Sequence, residues 1–321
     1  MSNLVSTRRQ VVATRLLKEY AIIWVTLLLF VGLAATTTNF LSSANLRNIL
    51  DQQSTVLIVA AVATLTIISG GFDVSLSAIY VLSPLVALRV ENATGSLPLA
   101  IVAGIATGVV AGAINGVAVT IFKINSFIAT LASSFIFFGV AYVVSSAGIL
   151  VPSSLGYRDW VSTRTLGLTS ATWMAAIVVV IAWFVLDRTR FGRYVFASGG
   201  NPEAARLAGV RVSAVLATTF VLGAAAAGFA GTIVSAQTLS AQASDDFSFI
   251  FAVIAAIVVG GTSIAGGEGA VWRSVVGVFF IAFLINGFDL NGVDPVYQRI
   301  IEGVVILLAV GIDGWTRSRR V

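Results

Sequence analysis

The chain has 321 residues, 58% of them hydrophobic and only 10% charged, with a mean hydropathy of +0.99 and a net charge of +5. Soluble domains carry about 25% charged residues, so this much apolar surface calls for lipid as solvent, and the positive balance reads as a membrane-topology signal rather than affinity for nucleic acid. There is no Cys and no His, which excludes disulfides, Cys/His zinc sites, imidazole acid–base catalysis and a thiol nucleophile.

A basic leader, residues 1–19, carries Arg8, Arg9, Arg15 and Lys18 ahead of the first apolar run. No small-residue cleavage site follows, so that run is read as a span and not as a cleaved signal. Candidate spans lie at 20–38, 48–69, 75–90, 97–122, 126–146, 170–186, 213–237, 250–265, 271–289 and 297–313. They form one membrane domain over 20–313, followed by a tail, 314–321. With the leader inside, ten spans return the C-terminus inside. Inner segments then hold 14 of the 19 Lys and Arg residues, as the preference of positive charge for cytoplasmic loops demands. The expected fold is an all-α, polytopic transmembrane bundle of about ten spans with both termini cytoplasmic. The third and eighth spans are short and bordered by Gly, so breaks or re-entrant segments are expected there.

The first glycine-rich interruption, IISGGFDVSLS, separates the second and third spans. Gly70 and Gly71 can end a helix, and Asp73, Ser75 and Ser77 follow. An Asp at the membrane centre costs about 2.5–3.5 kcal/mol on insertion scales, so Asp73 reads either as a helix cap or as part of a hydrophilic cavity or gate. In the fourth span Gly104, Gly108, Gly112 and Gly116 recur every four residues on one face, and Gly223, Gly228 and Gly231 follow in the seventh. Close helix packing is the expected use, a path lined by small residues the alternative. The segment 146–169, with Tyr157, Arg158, Trp160 and Arg164, reads as an outer loop with interfacial aromatics and snorkelling arginines. Asp245 and Asp246 read as solvated outer-loop charges or as a contact for an extracellular docking protein.

The largest charged island is Asp187 to Val212, which holds Arg188, Arg190, Arg193, Arg206 and Arg211 between two apolar runs. Within it NPEAARLAG predicts a short helix. Asn201 suits the N-cap, Pro202 the first helical position, Glu203 the positive helix start and Gly209 the stop. The second glycine-rich interruption, VVGGTSIAGGEGAVWRS, contains Gly266, Gly267, Glu268 and Arg273 and reads as a cytoplasmic turn. It is not a nucleotide cradle: no GxxxxGK[ST] occurs in the chain, and Glu268 repels an anion. With Lys18 and Lys123 as the only lysines, and neither beside a nucleophile, no catalytic constellation is present.

Taken in order, SGGFDVSLSA (69–78), NSFIATLASSFIFFGVAYVVS (125–145), TRFGRYVFASGGNPEAARLAGVRV (189–212) and AAIVVGGTSIAGGEGAVWRSVVG (255–277), with LINGFDLNGVDPVYQRIIEGVVILLAVGID (284–313), resemble the membrane permease subunit of ribose-type ABC sugar importers. Branched-chain amino-acid permeases share the broader family, and ASGGNPEAARLAG looks like the sugar branch. The resemblance implies a homo- or heterodimer of permeases in a bacterial-type inner membrane, cytoplasmic ATPase subunits that bind ATP and Mg, and an extracytoplasmic binding protein that delivers a monosaccharide. It implies no cofactor on this chain. It makes Gly199, Gly200, Asn201, Glu203, Ala204, Arg206 and Gly209 the ATPase-coupling element. Path or gate candidates are Gly70, Gly71, Asp73, Ser75, Ser77 and Asn125. Family members commonly show two prolines where this chain has Asn125-Ser126, and an acidic pair where it has Ile250 and Ala252. Two alternatives remain at this point: a self-sufficient secondary transporter using Asp73 as an ion or proton site, and a same-family permease for a non-sugar solute.

Overall fold

The computed structural model describes residues 20–318. The leader, 1–19, and the last tail residues, including Arg319 and Arg320, lie outside the described residues. The chain is mostly helical: α1 (Ala21–Thr36), α2 (Ser43–Ile68), α3 (Leu76–Thr94), α4 (Leu97–Thr120), α5 (Ser126–Ser145), a short α6 (Asp159–Ser162), α7 (Ser170–Arg188), α8 (Arg190–Gly200), α9 (Pro202–Leu207), α10 (Val212–Thr238), α11 (Ser248–Val259), α12 (Val271–Leu290) and α13 (Pro295–Ser318). Seven of these, α2–α5, α7, α10 and α12, are long and apolar enough to cross a membrane. The strands are two residues each: β1 (Ile149–Leu150) pairs antiparallel with β4 (Ala241–Gln242), and β2 (Arg164–Thr165) with β3 (Leu168–Thr169). They lie in connecting segments, where sequence alone suggested only loop.

Burial and hydropathy run in opposite directions. The spans of α2 and α3 are 72% and 61% buried, with mean hydropathies of only 1.4 and 1.2, whereas α4 is 28% buried at 2.2. A helix surrounded by protein can carry hydroxyls and amides that a lipid-facing helix cannot. Central α2 does so. Thr64 Oγ1 donates to Ser274 Oγ on α12 (2.7 Å), and Thr66 Oγ1 donates to the Thr219 carbonyl on α10 (3.0 Å). The glycine stripe of α4 is its seam with α10. A Cβ on Gly108 would overlap the Ala224 carbonyl oxygen, and one on Gly112 would come 2.7 Å from the Phe220 carbonyl. The seam is packed solid, so it leaves no path lined by small residues. Pro84, inside α3, has no N–H for the Tyr80 carbonyl four residues back. Gly231 of α10 packs against that carbonyl and against Pro84 Cδ.

The third span is continuous over 19 residues, contrary to the expected break. The eighth is short: α11 has 12 residues, about 18 Å against a hydrocarbon core of about 30 Å. Extended chain supplies the missing length. It pairs with β1 at Ala241–Gln242, and Phe247 then meets Phe135 and Phe138 midway along α5, at ring distances of 6.1 and 5.2 Å. The Asp246 carbonyl accepts from Ser77 Oγ in the first turn of α3 (2.9 Å). Asp245 and Asp246 are exposed, on a connecting segment that packs along α3 and α5.

At this loop end of the bundle, a buried carboxylate, Glu91, and a half-buried one, Asp51, fasten the connections. Glu91 accepts from Ser153 N (2.8 Å) and Ser153 Oγ (2.6 Å). Asp51 of α2 accepts from Thr169 Oγ1, Thr172 Oγ1 and Arg164. Tyr157 is only 2% exposed and lies 3.3 Å from Ser235 Oγ. The aromatics of 146–169 thus pack inward as a lid over α10 and are not interfacial anchors.

Gly108→Ala should destabilise the bundle by about 1–3 kcal/mol through overpacking against a backbone carbonyl. Gly139→Ala should be neutral, because nothing lies within 4 Å of its Cβ position. Thermal unfolding in detergent should show a lowered midpoint for Gly108→Ala alone; equal midpoints for the two variants would contradict the solid-seam description.

Candidate functional site

The end opposite the lid is built from three glycine-bearing segments far apart in sequence. Central α2 ends at Ile68, and Gly70 takes φ +87°, with Gly70 N–H and Gly71 N–H returning to the Ile67 and Thr66 carbonyls. This is a left-handed helix stop that glycine adopts without strain. The same end appears at α11, where Gly261 (φ +87°) follows Gly260 and the Gly261 and Thr262 N–H groups bond back to Val258 and Ile257.

The charged island is a helix pair. Thr189 Oγ1 accepts from Gly192 N (3.2 Å) and starts α8, which runs to Gly200. The sequence pattern predicts a helix over NPEAARLAG; Gly199 and Gly200, just ahead of it, form the last turn of the preceding helix. Val195 is fully buried, in a cluster with Leu65, Ile68, Leu186, Val215 and Val271, which seats the pair on the ends of four long helices. Asn201 then caps α9, its Oδ1 accepting from Ala204 N (2.9 Å). Gly209, at φ +85°, ends it, with Val210 N–H returning to the Ala205 carbonyl. Asn201, Glu203, Ala204, Arg206 and Gly209 are all exposed. Leu207 is 88% exposed, a large apolar side chain presented on a polar helix that composition alone did not single out.

The third segment is the turn before α12. Gly266 and Gly267 have φ of +85° and +74°, and Gly267 N–H donates to the Ile68 carbonyl at 2.8 Å. The three segments meet with no room for side chains. A Cβ on Gly199 would overlap the Ile68 carbonyl oxygen, one on Gly266 would lie 3.1 Å from Gly70 Cα, and one on Gly267 would lie 2.6 Å from Gly200 Cα. Glu268 is exposed beside this junction, while Arg273 is half-buried in the first turn of α12 with its guanidinium 5.4 Å from the Trp272 ring.

From the junction the chain runs extended through residues 71–74 into α3. Asp73 is buried. Its Oδ1 accepts from Ser75 N (2.9 Å) and Ser75 Oγ (2.6 Å), and Asn115 Nδ2 of α4 donates to Ser75 Oγ (2.7 Å). Ser75 is the N-cap residue of α3, so Asp73 braces the cap from one turn ahead instead of being the cap. A cavity of about 10 Å³ lies beside it, bordered by Thr66, Phe72, Ile250 and Ile254. Ser75 and Ser77 are buried as well. Of the path candidates only Gly70 and Asn125 reach the surface; within this chain the others form a packed knot, not a lined channel. Asn125 caps α5, accepting from Phe127 N and Ile128 N. Ser126, Thr130, Asn115, Asp51 and Glu91 were missed by sequence reading. Only the polar interruption of an apolar run could have signalled Asn115 or Glu91.

A family model described as branched-chain amino acid transport system / permease component matches residues 45–310. Among curated relatives, the ribose import permease protein RbsC of Escherichia coli K12 is 35% identical over 317 residues, covering 96% of this chain and 97% of that protein. The galactose/methyl galactoside import permease protein MglC of Haemophilus influenzae is 35% identical, covering 95% and 96%. The L-arabinose transport system permease protein AraH of E. coli K12 is 32% identical, covering 95% and 93%. No solved structure matches. With a family model that covers most of the chain and relatives aligned from end to end, the chain belongs to this permease family of membrane import systems.

Proposed function

We propose that this chain is the membrane subunit of an ATP-driven importer that carries a monosaccharide, in a bacterial-type inner membrane. In this reading a second permease copy completes the translocation path, an extracytoplasmic binding protein delivers the sugar, and separate ATPase subunits supply ATP with Mg. α1, α11 and α13 join the seven helices named above to make ten membrane segments. The island end and both termini face the cytoplasm, and the lid faces outward. The observation that carries the reading is the exposed, capped α9, held backbone-to-backbone on the central helix through α8 in a chain with no phosphate-binding motif of its own. A helix of six residues has little stability alone; here the junction preforms it for a partner. The relatives that import ribose, galactose and arabinose favour a pentose or hexose. A secondary transporter using Asp73 is less well supported: Oδ1 is engaged with Ser75, and although Oδ2 has no hydrogen-bond partner, only a cavity of about 10 Å³ adjoins the group.

Orientation is testable because the native chain has no Cys. Cys placed at Thr94 or Arg158 should react with an impermeant maleimide added to intact cells. Cys at Leu207 or Phe122 should react only in inverted vesicles. Reaction at 207 from outside would reverse the assignment.

Glu203→Ala with Arg206→Ala removes two exposed charges from α9 without touching a buried contact. Uptake of D-ribose, D-galactose or L-arabinose, whichever the native importer takes, and sugar-stimulated ATP hydrolysis should fall together by roughly tenfold, the effect of losing a central interface contact. Abundance in the membrane should be unchanged. A fully coupled double variant would remove α9 as the ATPase contact.

Asp73→Asn keeps an oxygen for Ser75 N and Oγ, whereas Asp73→Leu strands both donors in a buried site, at about 1–3 kcal/mol. Thermal unfolding and uptake should both be worse for Leu than for Asn. Equal behaviour would show that the brace does not matter.

A further inference from the structure

We infer that Ser126 and Thr130 are positioning residues that fasten the first turns of α5 to the island junction, so that α5 moves with α8 and α9. The inference rests on the coupling role proposed for α9. Its own basis is the extended stretch Phe72–Val74, which emerges from the glycine junction. On its α5 side, Phe72 N–H donates to Ser126 Oγ (3.2 Å), and Val74 N–H donates to Thr130 Oγ1 (3.1 Å). The single Thr130 hydroxyl proton is placed for the Ser126 carbonyl (2.8 Å) and the Phe72 carbonyl (3.2 Å). The Phe72 and Phe127 rings pack at 5.9 Å.

These bonds satisfy backbone donors of a stretch that belongs to no helix or sheet, so no regular backbone partner meets them. They also make a continuous connection. α8 meets Ile68 and Gly70 through Gly199. Gly267 locks the same carbonyl, and Phe72–Val74 carries on to α5. The links up to Gly70 are backbone on backbone, too stiff to absorb a shift. The last link is two hydroxyls. The stretch also borders the small cavity of about 10 Å³ at Ile250 and Ile254. Helix α5 is suited to follow: it packs mainly on α3 and lightly on α4, and Phe127, Ile128, Phe135, Ile136 and Val143 are exposed. Elements with sparse buried contacts are the ones that move at low cost.

The Ser126 contact belongs to this chain's departure from the family pattern of two prolines at 125–126. A proline at 126 has no hydroxyl to accept from Phe72 N–H.

The test uses the complete importer, purified with its ATPase and binding protein and reconstituted in vesicles with the sugar that the native complex transports. Thr130→Val keeps the shape and removes the acceptor; Thr130→Ser restores it. Two quantities are read. One is sugar imported per ATP hydrolysed. The other is the change in maleimide reactivity of a Cys at the exposed Ile128 when a non-hydrolysable ATP analogue is added. In Thr130→Val the ATPase should remain bound and stimulated, while import per ATP falls by roughly tenfold, the size of one buried acceptor lost. The nucleotide-dependent change at 128 should disappear, and Thr130→Ser should recover both. Native import per ATP in Thr130→Val would overturn the inference, as would failure of Thr130→Ser to rescue. If Thr130→Val does not assemble, Ser126→Ala decides by the same two readings, with a smaller loss expected and an unchanged pair overturning the inference. Loss of the ATPase from the native complex on Glu203→Ala, Arg206→Ala, together with native ratios in Thr130→Val, would leave the coupling role of α9 standing and reject the link to α5 alone.

Discussion

The hydrogen bond from Gly267 N–H to the Ile68 carbonyl, 2.8 Å long, closes the end of the most buried helix in the molecule. A helix terminus leaves its last carbonyls without intrahelical donors, and in a bundle surrounded by lipid no water reaches a buried one. Here one of those carbonyls takes a donor from a turn about 200 residues away in sequence, and Gly199 of the island lies flat against the same atom. Three segments share one small patch of backbone, and each needs glycine for its own reason. Gly70, Gly266 and Gly267 need positive φ; Gly199 needs the absence of a Cβ inside an ordinary helix. Side chains can yield by changing rotamer, but backbone against backbone cannot. Whatever displaces α8 therefore displaces the ends of α2 and of the turn with it.

The same reasoning explains how the bundle tolerates polar groups in its middle. Hydrogen bonds between membrane helices contribute modestly, about 0.6 kcal/mol on average, because the alternative state also finds partners. The bonds from Thr64 to Ser274 and from Asn115 to Ser75 therefore fix register more than they supply stability. Close approach of α4 and α10 along the glycine stripe supplies the dispersion contacts that lipid would otherwise make. The low hydropathy of α2 and α3 follows from the packing around them: they are the helices that lipid does not touch.

Much of this was readable in the chain. Apolar runs of spanning length located the long helices to within a few residues, since a helix that must satisfy its own backbone in lipid has little choice of form. The Asn201–Pro202–Glu203 start and the Gly209 stop are local chemistry, and local chemistry is what sequence states directly. The misses are non-local. Glycine disfavours helix interiors by about 1 kcal/mol, so no local signal extends a helix through Gly199-Gly200; Gly199 packs so closely on Ile68 and Gly267 that no side chain fits there. The eighth span, read as short and Gly-bordered, is indeed a 12-residue helix that ends at Gly260 and Gly261, but the stretch before it that runs along α3 and α5 was not legible. Tyr157 and Trp160 carry the signature of interfacial anchors, yet their loop folds back onto Ser235 and Phe229. No local pattern reports where a loop will lie. The convergence of SGGFD, ASGGNPE and IAGGEG on one point could not be seen from spacing at all.

The two ends of the bundle are fastened by different chemistry, and the difference bears on what each can do. At the lid end, besides the short β1–β4 pairing, the fasteners are side chains: Asp51 against Thr169, Thr172 and Arg164, and Glu91 against Ser153. Such contacts can part and re-form, and water or an incoming protein surface can take over either half of each pair. At the island end the fasteners are backbone groups packed with no intervening side chain, and separation would leave buried carbonyls and amides unpaired. Under the function proposed above, the lid end would receive the sugar and could open by exchanging partners, while the island end would move as a body. The extended stretch 71–74 is where that body passes to hydroxyl contacts on α5, so it is the first point from the island at which the connection could be loosened by changing a single side chain.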